Sequence, residues 1–208
     1  MGITIYYSGK LRTMEQLPSL MDEVIQHCNH VKWEYEIIYR SFEIPLQGIA
    51  FEPKGSHAVW MTFMDDGLLV APHDYAIAKD PVRKFKNDYR VDTKTHYVGA
   101  DVHMQMITFI RYLSDTYFSK FVMYDESEYW QTNNRSTCER EFGIMEQWVR
   151  QMINKLDELD GRIGEIGDAG EIVDERIYNL LLQMPPLEVL EHLHTPRPGM
   201  EVFSRVWN

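Results

Sequence analysis

The sequence predicts an α+β fold: a largely antiparallel sheet with two helices on one face, in the order β-α-β-β-β-β-α-β, followed by a C-terminal helical hairpin. Three observations carry this. Ile3, Ile5 and Tyr7, and later Trp33, Tyr35, Ile37 and Tyr39, recur at every second position, the period of a strand with one apolar face. Residues 17–28 and 102–117 place apolar side chains three and four apart, the period of a helix with one buried stripe. Asp65-Asp66-Gly67 stands between two apolar runs, a hairpin signal because glycine accepts the positive φ of such turns.

Taken in order, the first strand covers residues 3–7 and Ser8-Gly9-Lys10 breaks it. The helix after it carries Leu17, Leu20, Met21, Val24, Ile25 and Cys28 on one face. Thr13 and Gln16 have capping-box spacing. Pro18 is tolerated only in a first turn, so the helix starts near Leu17. Residues 33–40 form a strand, with Glu34, Glu36 and Arg40 on its charged face. Short strands are expected at 48–52, 57–64 and 68–71, with Pro53-Lys54-Gly55 turning the chain between the first two. Residues 72–98, with Pro72 and Pro81, read as a long loop. Val102, Met106, Phe109, Ile110, Leu113 and Tyr117 mark a helix starting near Gly99, and 121–124 makes the last strand. Helices on one face of such a sheet bury both stripes, in a split β-α-β plan with an added hairpin.

The remainder reads differently, so the chain divides into an α+β domain at 1–131 and a helical segment with an irregular tail at 132–208. Phe142, Met145, Val149, Met152, Leu156, Leu159, Ile163 and Ile166 repeat at spacings of three and four, and the register resumes from Val173 to Met184. That is a coiled-coil-like seam. Gly161, Gly164, Gly167 and Gly170 favour a turn between two antiparallel helices. Pro185-Pro186 ends the second, residues 187–194 suggest a short further helix, and Thr195-Pro196 opens the tail.

Composition bounds the function. The chain has 208 residues and a net charge of −11, from 32 acidic and 21 basic side chains. An acidic field repels phosphate backbones, and the densest basic stretch is only Arg83-Lys84-Phe85-Lys86, so no nucleic-acid partner is expected. A basic protein suits the charge better. No apolar run reaches the length of a membrane span and no signal peptide is visible. Two distant cysteines, Cys28 and Cys138, form no disulfide framework, and a cytoplasmic setting is the expectation.

Two clusters carry candidate chemistry. Thr93, Lys94, Thr95 and His96 precede a helix N-terminus, where free N–H groups favour an anion. The functional reading is a phosphate or carboxylate site; the plainer one is a capped helix start. His103 sits on the apolar stripe, where a hydrogen-bonded core histidine is the commoner outcome. Asp125-Glu126-Ser127-Glu128 leaves the last strand, and its carboxylates suit acid–base work or a charged turn. His96, His103 and Glu128 are thus the catalytic candidates. Asp101 and His103 are two apart and point to different helix faces, and His192 and His194 have no partners close in sequence, so no metal is expected. No glycine-rich phosphate loop, nucleophile elbow or paired CxxC is present, and no cofactor is expected.

Ile3-Thr4-Ile5 with Gly9-Lys10-Leu11, Trp33-Glu34-Tyr35, residues 93–97 with Gly99, Asp101 and His103, and Asp125-Glu126 with Tyr129-Trp130 carry a resemblance to a group of uncharacterised bacterial proteins over residues 2–130. It implies no activity, cofactor or catalytic residue. Two functions follow from the residues. One is a non-catalytic binding protein, acting through its acidic surface and a homo-oligomeric interface at 135–184. The other is a hydrolase or small-anion-binding enzyme with a site around 93–103 and 125–128.

Overall fold

The computed structural model describes residues 2–78 and 90–160, with backbone alone at 77–78 and 155–160. The basic stretch at 83–86, the glycine cluster at 161–170, the second seam helix, residues 187–194 with His192 and His194, and the tail lie outside the described residues. The chain divides into two compact units, 1–145 and 146–208.

The first unit is α+β. Strand β1 (Thr4–Leu11) leads through a 3-10 turn at Met14–Gln16 into helix α1 (Leu17–Val31). Thr13 caps that turn by accepting the Glu15 N–H at 3.1 Å, and Pro18 occupies the first turn of α1. Then come β2 (Glu34–Ile38), β3 (Gln47–Glu52), β4 (Val59–Phe63), a short helix α2 (Tyr75–Ala78), β5 (Val91–Lys94), α3 (Gly99–Tyr117), β6 (Phe118–Asp125) and α4 (Tyr129–Thr132). Helix α5 (Arg135–Asp160) closes the described chain.

Two antiparallel three-stranded sheets form, ordered β5-β1-β6 and β2-β3-β4. Residues 67–70 join them. Met64 and Val70 N–H groups donate to Leu68 and Thr62 carbonyls on the β4 side, while across to β1 the Leu11 N–H donates to the Gly67 carbonyl and the Leu69 N–H to the Gly9 carbonyl. The strand expected at 68–71 is therefore reduced to isolated bridges, Lys10 with Leu68 and Phe63 with Leu69, because its backbone groups are divided between two partners. The loop expected at 72–98 contains β5, paired with β1 from Thr4↔Lys94 to Tyr7↔Val91. A four-residue strand with two threonines and two charges carries too little apolar alternation to read from sequence; pairing with β1 supplies what local pattern lacks.

Helices α1 and α3 lie on one face. Leu17, Leu20, Val24 and Cys28 of α1 join Met106, Ile107, Ile110 and Leu113 of α3 over Ile5, Tyr7, Phe51 and Met61 of the sheet in one core. Gly48 lets β3 approach β4: a Cβ there would come 2.1 Å from the Met61 carbonyl oxygen. Arg12 terminates α3, donating to the carbonyls of Asp115, Thr116 and Phe118, a cation placed where the helix dipole is negative. The first eleven residues of α5 belong to this unit, and Cys138 and Phe142 form a second small core with Ile3 and Met104.

Of the second unit, the described part is helix through residue 160. Val149 is half-buried and Met152 buried.

Candidate functional site

β1 lies between β5 and β6 and runs antiparallel to both. The ends of β5 and β6 therefore flank the start of β1, and α3 passes from one to the other. That split β-α-β path drops the first turns of α3 between the two strand ends. His103 fills the space.

Its contacts are polar on both nitrogens. His103 Nδ1 lies 2.9 Å from Thr95 Oγ1. Nε2 lies 3.2 Å from Asp125 Oδ1 and 2.9 Å from Ser127 Oγ. Ser127 Oγ also donates to Asp125 Oδ2 at 2.8 Å, and the Ser127 and Trp130 N–H groups donate to the same carboxylate at 2.8 and 3.0 Å. Thr95, His103, Asp125 and Ser127 are each 0% exposed. The Phe142 ring meets the imidazole edge-on, centroids 5.2 Å apart.

Burial alone would raise the Asp125 carboxyl; its hydrogen bond and charge interaction with His103, with the Trp130 N–H and Ser127, outweigh that and hold it below its ordinary value. Burial pushes the neighbouring Cys138 thiol up to about 11.

The set contains serine, histidine and aspartate, but it is not wired to activate a nucleophile. That chemistry needs the hydroxyl on one imidazole nitrogen, free to take its proton, and the carboxylate on the other. Here both lie on Nε2. Donor accounting assigns the Ser127 proton to Asp125 Oδ2, since two oxygens 2.8 Å apart require one. Nε2 must then carry its own proton toward Asp125 and Ser127. The serine accepts from the histidine, and no accessible atom remains for a substrate.

Sequence candidates fall on both sides of this enclosure. The structure brings Thr95 and His103 together. Thr93 also points inward, but to a different bridge: its hydroxyl donates to the Ala58 carbonyl at 3.0 Å and lies 3.5 Å from the Tyr7 hydroxyl. Tyr7 in turn receives the Trp60 N–H at 2.8 Å, linking β1 to β4. Lys94 alternates outward and is exposed. His96 is half-buried, its ring edge-on to Tyr97. Glu128 is exposed, in left-handed backbone with φ 62°. Asp101 is exposed and pairs with Arg135, so it and His103 do take different faces. Sequence reasoning overlooked Ser127 as a partner of His103. The signal was the Asp-x-Ser spacing after a strand, which lets the aspartate accept the N–H two residues on. Among the described residues no group of three or more His, Cys, Asp or Glu side chains is placed to hold a metal ion.

At the other margin of the unit the surface is open. Met14, Leu17, Met21, Ile25, Ile37 and Tyr39 line a groove of about 410 Å³ between α1 and β2. Sequence reasoning assigned several of these to helix stripe or strand face; Leu17 is buried, while Met14, Met21, Ile25 and Ile37 are covered only in part. Tyr39 is 78% exposed, and Phe42 is fully exposed in the loop beyond it. Asp22 stands at the rim, and Arg40 is neutralised there by a two-point ion pair with Asp65 at 2.5 and 2.8 Å.

No protein-family model, no curated protein and no solved structure matches the chain.

Proposed function

We propose that this is a non-catalytic binding protein. The observation that carries the reading is the enclosure of His103, Asp125 and Ser127: the side chains best suited to catalysis have no exposed atom, while uncovered apolar surface and unpaired carboxylates lie elsewhere. Its partner is a basic protein, drawn by the net charge of −11, or a second copy. For self-association the candidate surface is the seam within 135–184, chiefly from Val149 onward, since Phe142 packs on Ile3 and Met104 of its own unit. A cytoplasmic setting belongs to the same proposal and agrees with two buried free thiols. Among the described residues no helix is long and apolar enough to cross a membrane. The kinship to uncharacterised bacterial proteins over residues 2–130 is likewise proposed and assigns no activity.

The alternative, a hydrolase or small-anion-binding enzyme using Thr93, Lys94, Thr95, His96, His103 and Glu128, supplies the test. Full-length protein is assayed against nitrophenyl esters and nitrophenyl phosphate, and its mass is measured by light scattering over a range of concentrations, alone and with a basic protein such as lysozyme. The expected result is no turnover above buffer and a concentration-dependent complex. Turnover that His103→Gln abolishes, in a folded variant, would overturn the proposal.

A further inference from the structure

We infer that the free edge of β2, with the groove beside it, accepts an extended segment of a partner protein as an added strand, and that this segment alternates apolar with basic residues. The inference rests on the binding-protein reading and names the partner's chemistry.

The edge comes first. Among the described residues β2 pairs only with β3, so it ends the order β2-β3-β4. An edge strand presents unpaired N–H and C=O groups that template another strand. Strand addition takes its affinity from those groups and its specificity from pockets for alternate side chains.

Register then fixes the pockets. Tyr35 pairs with Phe51, and Ile37 with Ile49; Phe51 and Ile49 lie in the core beneath the helices. Tyr35 and Ile37 therefore face the helix side, where Ile37 lines the groove with Met14, Met21 and Ile25. Glu34 pairs with Glu52, and Glu36 with Ala50, so these carboxylates face the opposite side. Glu34, Glu36 and Glu52 are exposed, and among the described residues none of the three is in a salt bridge. A strand laid beside β2 meets apolar surface with every second side chain and uncompensated negative charge with the others. Lysine or arginine at those others makes opposite-charge cross-strand pairs.

The same register argues against a second copy here. A twofold antiparallel pairing of β2 with itself keeps the faces matched. Centred on Tyr35 or on Glu36, it sets Glu34 against Glu36 or Glu36 against Glu36, and like charges directly opposite are destabilising; only the shorter register centred on Ile37 escapes this.

The probe is a fluorescein-labelled nonapeptide alternating valine and lysine, titrated into full-length protein by anisotropy at 150 mM salt, a concentration that screens distant charges. Two controls have the same length: one with lysines grouped at one end, one with glutamate replacing lysine. The alternating peptide is expected to bind at least tenfold tighter than either control. Glu34→Lys with Glu36→Lys, and separately Met21→Glu, should each weaken it at least tenfold while the melting temperature holds. Equal binding of the grouped peptide would overturn the inference in favour of unspecific charge attraction. Absence of binding overturns it, and so does a dimer that Met21→Glu abolishes, which would make a second copy the occupant. If the peptide fails but light scattering still shows a complex with a basic protein, the groove assignment falls while the binding-protein reading stands.

Discussion

The β5-β1-β6 end of the first unit and its β2 margin treat polar and apolar groups in opposite ways. At the first, four polar side chains are taken wholly out of water and matched with one another: Thr95, His103, Asp125 and Ser127 have no exposed surface. At the second, methionines and isoleucines stay half in water, and Tyr39 and Phe42 almost wholly so. Polar groups sealed with partners specify how the chain is assembled. Contiguous apolar groups left uncovered are, as a general rule, a mark of interaction surfaces and grooves. The residues that look reactive are buried, and several that look like core positions are partly exposed.

The sharpest way to break this comparison is Asp125→Ala. The carboxylate accepts from His103, Ser127 and the Trp130 N–H. Removing it leaves these donors buried without partners, which costs about 3–5 kcal/mol. Urea unfolding should show that loss, whereas Met21→Gln in the groove should show under about 1 kcal/mol. A loss below about 1 kcal/mol for Asp125→Ala would mean that water reaches the network.

Acid titration sharpens the same point. The folded Asp125 carboxyl titrates below its ordinary value. A depressed carboxyl stabilises the fold fully above its unfolded pKa of about 3.9, and that stability is lost as pH falls through the folded value. The stability gap between wild type and Asp125→Asn should therefore be full at pH 6 and shrink below about pH 4. A gap unchanged at pH 3 would remove the charge from the explanation.

Tyr7→Phe probes the second internal bridge. The phenol donates to the Trp60 carbonyl at 3.3 Å and receives the Trp60 N–H at 2.8 Å. Without it that N–H is unpaired in the interior, at about 1–3 kcal/mol. Burial raises the Tyr7 pKa. Its stabilisation is complete below the unfolded value of about 10 and declines as pH rises beyond it, so the penalty of Tyr7→Phe should narrow in alkali. Urea midpoints at pH 8 and pH 10.5 measure both effects.

Much of this fold is legible in the sequence because it rests on period. β1, α1, β2, β3, α3 and the start of α1 at Pro18 follow from apolar spacing and cap chemistry. β5 does not, since Val91-Asp92-Thr93-Lys94 has one apolar residue and gains its partners from β1, more than eighty residues away. The site is legible in membership and not in burial. His103 and the Asp125 turn stand out as chemistry-bearing residues, but what seals them includes Phe142, supplied by a helix some forty residues downstream. The groove is hidden for the converse reason. Met21 and Ile25 continue the stripe of Leu17, Leu20 and Val24, and period cannot say that the sheet ends at β2 before the stripe is covered.

Lys94→Ala carries the smallest expected effect and separates the two readings of residues 93–96. Strand β5 alternates: Val91 and Thr93 are buried, Asp92 and Lys94 exposed. The Lys94 side chain thus leaves the sheet on the side away from Thr93, while its backbone carbonyl keeps the His57 N–H at 2.9 Å whatever the side chain. A truncation that disturbs neither core nor ladder should stay within about 0.5 kcal/mol of wild type. An anion site built on the lysine makes a different demand. Phosphate at millimolar concentration would raise the wild-type melting temperature by mass action and leave the variant unmoved. The binding-protein reading expects no phosphate shift in either protein. A shift in the wild type alone would return Lys94 to the centre of a site and weaken the contrast between a sealed end and an open margin.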